Sequence, residues 1–97
     1  MRKGTTKTGF EYTFDETRLD DMRFVDVMAV VLDDKAKEFD QISATSKLVE
    51  MLLGKDQKEK LYDHIAKDYD GRVPLGAFKQ ALEEIMTGSG SENELKN

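Results

Sequence analysis

Few residues in this chain have the types and spacing to do chemistry. His64 is its single histidine, and cysteine is absent. Disulfides, thiolate metal sites and cysteine nucleophiles are therefore excluded together. One imidazole cannot build a histidine metal cluster. With Asp63 or Asp68 it could form a catalytic-looking dyad, but no serine nucleophile, glycine-rich oxyanion turn or phosphate loop accompanies it. His64 is expected at the solvated edge of a helix. The segment Lys67-Asp68-Tyr69-Asp70-Gly71-Arg72-Val73 looks like part of a calcium-binding EF-hand loop. Setting Gly71 at the invariant glycine puts Asp68 and Asp70 on ligand positions. It also puts Ala66 and Ala77 where the dominant carboxylate ligands belong. A plain acidic turn is the better reading. Asp20, Asp21 and Asp26, with Asp33 and Asp34 beyond, do not share one tight helical face. They read as helix caps and a solvated surface. No catalytic residue, metal ligand or cofactor site is expected, and the chain reads as a non-enzyme.

The elements that would position any site are legible from the hydrophobic pattern. Phe10, Tyr12 and Phe14 alternate with Glu11 and Thr13, which is the period of a half-buried strand. Thr5 to Thr8 could add a poorer second strand, giving a hairpin over about residues 5–14, while Met1 to Thr6 carries no pattern. A two-stranded ribbon is marginal alone, so its aromatic face needs helices beneath it. A first helix is expected from between Asp15 and Asp21 to near Leu32, capped by Asp15 or Asp20. A charged link, Asp33 to Phe39, precedes a second helix from Gln41 to Leu53. That helix is capped by Asp40, turns Ile42, Val49, Leu52 and Leu53 inward, and stops at Gly54. Asp56 is expected to cap a third helix, Gln57 to about Lys67, with Leu61, Tyr62 and Ile65 on its apolar side. Pro74 suits the first position of a fourth helix. There Leu75, Phe78, Leu82 and Ile85 share one side and Gly88 ends the run. The fold class is mainly α: a short N-terminal strand or hairpin followed by a compact bundle of about four helices, one domain over residues 1–88. Residues 89–97 are small and polar and are expected to be a disordered tail.

The first helix is wider in apolar character than a one-sided helix needs. Leu19, Met22, Val25, Met28 and Leu32 form one row, and Phe24, Val27 and Val31 form a second beside it. The second row could pack under the aromatic strand, or it could line a groove for a partner helix. Methionine adapts to varied apolar partners. The candidate partner-binding residues are therefore Phe24, Val27, Met28, Val31, Met51 and Met86.

Charge narrows the partners. The chain has 20 acidic against 15 basic residues, a net charge of −5, and no basic stripe along any helix. The electrostatic footprint of a nucleic-acid binder is missing. No apolar run is long enough to cross a bilayer, and the N-terminus lacks a signal peptide's hydrophobic region, so a cytosolic protein is expected. An apolar share of 38% supplies one modest core. Spare apolar surface on so short a chain therefore calls for a protein partner.

The order of features is familiar. TKTGFEYTFDE, then LDDMRFVDVMA, then KLVEMLLGKDQKEKLYDHI, an acidic turn and GRVP follow one another. Together they resemble the small tail assembly chaperones of long-tailed phages and prophages of Gram-positive bacteria. The likeness runs from about Thr6 to Thr87 and is best over Leu52 to Ile65 and Asp70 to Pro74. It rests on order and spacing, because no stretch is a catalytic signature. It implies a protein that binds the tape measure protein and keeps that long helical chain soluble while the tail tube forms. Such a protein works in the host cytoplasm and is absent from the finished virion. The resemblance also implies possible self-association, or association with a longer form made by ribosomal slippage. Arg23 and Phe24 depart from the more acidic helix face that such proteins present, and Gly76 is unexpected in the fourth helix.

Two other classes compete with that reading. A head–tail connector or other small virion protein would be retained in particles. A degenerate EF-hand module would show a calcium-dependent thermal shift.

Overall fold

The computed structural model describes residues 1–88; the expected disordered tail, 89–97, lies outside the described residues. The chain is mainly helical. Strands β1 (Arg2–Thr5) and β2 (Glu11–Phe14) form an antiparallel hairpin. A 3₁₀ turn, Glu16–Asp20, leads to helices α1 (Met22–Leu32), α2 (Glu38–Leu53), α3 (Lys55–Ala66) and α4 (Leu75–Thr87).

The hairpin begins earlier than its sequence suggests. Arg2 pairs with Phe14 and Gly4 with Tyr12, while Thr6 to Gly9 form the turn rather than a strand. The N-terminal segment looks patternless because its packing comes from polar or absent side chains. The Arg2 guanidinium lies 5.1 Å from the centre of the Phe14 ring. Gly4 has no side chain at all. Thr6 is buried, and its Oγ1 accepts the Phe10 N–H at 3.1 Å, holding the turn.

Helix starts also differ from expectation. Asp15 caps the 3₁₀ turn and Asp21 caps α1, each accepting the N–H two residues on. Asp40 and Asp56 cap nothing: α2 starts at Glu38 and α3 at Lys55, so both aspartates fall inside first turns. Their charge still suits the positive end of each helix. Gly54 is at once the end of α2 and the lead into α3, at φ 85°. One residue joins the two helices, so no position remains for a side-chain cap. The Gln57 amide ties this junction to β2, donating to Leu53 O and Thr13 O at 2.7 Å each and accepting the Thr13 N–H at 2.9 Å.

The core gathers around α2, which touches the other three helices and β2. Thr45, Leu48, Val49, Leu52 and Leu53 are its buried residues. Leu48, which is not among the inward residues expected of this helix, is completely buried, whereas Ile42 is only half-buried. Thr45 is tolerated inside because its hydroxyl donates to Gln41 O at 2.7 Å. Phe10, Tyr12 and Phe14 close one side of the core, and Leu61, Ile65, Phe78, Leu82 and Ile85 close the others.

Candidate interaction surface on helix α1

Apart from Arg23 and Asp26, every residue of α1 is apolar. Such a helix is ordinarily surrounded by protein, yet α1 lies at the surface. Phe24 is its single buried residue, while Val27, Met28 and Val31 are half-buried against the core. The opposite side faces solvent: Met22 is 67% exposed, Val25 43% and Leu32 73%, with Ala29 exposed between them.

This assignment corrects the two rows. The row Leu19, Met22, Val25, Met28 and Leu32 does not share one face, since Leu19 lies in the 3₁₀ turn and packs against the core. The second row, Phe24, Val27 and Val31, is the inward one. Each step of three residues falls about 60° short of a full turn, so steps of three drift around the helix. Met22, Val25, Ala29 and Leu32, spaced three, four and three, stay on one side.

The six candidate partner residues separate accordingly. Phe24 is a core residue at 4% exposure and presents nothing to a partner. Val27 and Met51 are half-buried against the core. Met28, Val31 and Met86 are brought together with Leu32 in a groove of about 640 Å³ between α1, α2 and α4. Leu48 and Leu82 also line the groove, which Lys79, Gln80 and Glu83 edge from α4. Local pattern does not reveal these last contributors, because they come from α2 and α4, which are distant from α1 along the chain. A smaller hollow of about 430 Å³ lies between Ile42, Tyr62, Leu75 and Phe78.

His64 is engaged by the hairpin, while the aspartates of the EF-hand-like turn stay exposed. His64 is half-buried rather than solvated. Its Nε2 lies 3.0 Å from Thr8 Oγ1, and its ring centre is 5.7 Å from that of Phe10. Thr8, and neither Asp63 nor Asp68, is thus its hydrogen-bond partner. Asp68 and Asp70 are exposed in the turn before α4. Ala77, at the EF-hand's glutamate position, lies within α4. No group of three histidine or acidic residues that could hold a metal ion occurs among the described residues.

Among the described residues, two groups have displaced acidities. Burial raises the Tyr12 hydroxyl above its ordinary value, with Arg2 opposing and Glu84 reinforcing the shift. Hydrogen bonds from the Thr17 N–H and hydroxyl lower the exposed Asp15 carboxyl. A third feature was not legible at all. Glu84 is 4% exposed, and its carboxylate accepts the Lys7 N–H and the Gln80 amide, each at 2.8 Å. Its apolar-side position in α4 is answered by a loop on the far end of the sequence.

The fold and this surface define a small helical protein with an unpartnered apolar helix face. No described helix is long and apolar enough to cross a membrane. No family model, curated protein or solved structure matches this chain.

Proposed function

We propose that this protein is a non-enzymatic chaperone of helical protein segments, and specifically a tail assembly chaperone of a long-tailed phage. It holds the tape measure protein soluble in the host cytoplasm while the tail tube grows, and is then left out of the virion. The observation that carries this reading is α1, apolar on nearly every side yet half in water. Leaving apolar area exposed forgoes about 25 cal/mol for each Å². A chain of 97 residues has little stability to forgo. Exposed large residues with an adjoining groove are the form of a surface that is covered in use. The acidic balance and the residue order shared with such chaperones support the same reading.

The test is co-expression with the tape measure protein encoded by the same phage, followed by pull-down and a solubility assay. A tape measure protein that becomes soluble only with this chain supports the proposal. Absence of binding, together with recovery of this chain from purified particles, transfers it to the virion-protein class.

A further inference from the structure

The outer face of α1 has a regular geometry. Met22, Val25, Ala29 and Leu32 follow the three-four-three spacing of a coiled-coil seam. In that register the flanking positions within α1 are Asp26 and Met28, and the cap residues Asp21 and Asp33 add negative charge just beyond its two ends. Arg23 falls outside the flanks. We propose that this face is a seam for an amphipathic partner helix whose own flanking positions carry Lys or Arg. The biological role of the seam rests on the helix-holding reading above. Its chemistry rests on α1 alone.

A second copy of the chain is the wrong occupant. Antiparallel pairing of two such seams sets Asp26 against Asp26, and parallel pairing brings Asp26 toward the capping carboxylate of Asp21. Like charges at flanking positions disfavour both arrangements, whereas opposite charges choose the partner and its direction. The seam is about 16 Å long at the rise of an α-helix. A contact this short is weak alone and gains strength when many copies line one long partner.

The probes are two three-heptad helical peptides with identical Leu and Val seams, one flanked by Lys and the other by Glu. Uniform flanking charge also keeps each peptide from pairing with itself. Titration into the labelled full chain, followed by NMR chemical shifts, gives affinity and location together. The Lys-flanked peptide is expected to bind about tenfold more tightly than the Glu-flanked one, the sum of a few exposed charge pairs. The shifts should centre on Val25, Ala29 and Leu32, and the preference should shrink in high salt. Asp26→Lys should erase or invert the preference, and Ala29→Glu should abolish binding of the Lys-flanked peptide while circular dichroism stays unchanged. Equal binding of both peptides overturns the proposal, as do shifts confined to the groove of Met28, Val31 and Met86. A wild-type dimer that Ala29→Glu turns into monomer also overturns it. Co-expression with the tape measure protein keeps the two proposals separate. Retention of that protein equally by wild type and Ala29→Glu sinks the seam and leaves the chaperone. Loss of retention by wild type, with Lys-flanked peptide still bound, does the reverse.

Discussion

Gly4 sits beneath the Tyr12 ring, where an added Cβ would meet Tyr12 Cζ at 2.6 Å. The ring is buried in the core and cannot step aside. Gly4→Ala is therefore expected to lose about 1–3 kcal/mol through overpacking, read as a lower urea midpoint. Tyr12 also makes stability depend on alkali. Its hydroxyl is raised above 10.0 in the folded chain, chiefly by burial. The unfolded chain thus gives up this proton first. The Tyr12 contribution is intact below pH 10.0 and is eroded as pH climbs through the folded value. Thermal melts from neutral to alkaline pH should show that loss, and Tyr12→Phe should flatten it while preserving the ring. Period-two spacing revealed Tyr12 as inward. That Gly4 is the residue beneath it depended on strand register, which a polar, patternless segment does not announce.

Helix α1 shows how neighbouring apolar residues can have opposite roles. Val31 is half-buried against the core, whereas Leu32 is 73% exposed. Val31→Asp pushes a carboxylate into apolar packing and should cost about 2 kcal/mol or more. Leu32→Asp should change stability by no more than about 0.5 kcal/mol. Chemical denaturation of the two variants, monitored by circular dichroism, checks the contrast. Equal losses would mean that Leu32 is packed. In α2, Leu48→Ala removes a completely buried side chain at the centre of the core and should cost about 2–5 kcal/mol. Leu48 is hard to single out by pattern because α2 is buried on more than one side. A strand and three helices surround it, which widens its apolar arc beyond a single stripe.

The molecule is closed by its N-terminal hairpin meeting its last helix. Arg2 donates to Met86 O at 2.7 Å and to Ile85 O at 3.3 Å, covering carbonyls near the C-terminal end of α4. Lys7 N donates to Glu84 across the same junction. The guanidinium both satisfies those acceptors and suits the negative helix end. Arg2→Ala should lose about 1.5–3 kcal/mol, the range for hydrogen bonds from a charged donor. The thermal transition should fall in temperature but remain single, because hairpin and helices share one core. Two separated transitions would show that the hairpin is an independent unit.

The sequence by itself determined the element types and their order. Strand and helix periods and glycine stops act over a few residues, so local pattern is enough to read them, whereas the caps expected at Asp40 and Asp56 do not form. It also determined that α1 carries more apolar surface than one face requires. Only the tertiary structure decided which side of α1 faces water, which of Phe24, Met28, Val31 and Met86 reach a common groove, and what Glu84 and His64 bond to. Those outcomes depend on how α1, α2 and α4 lie against one another and on contacts between opposite ends of the chain. No local period encodes either.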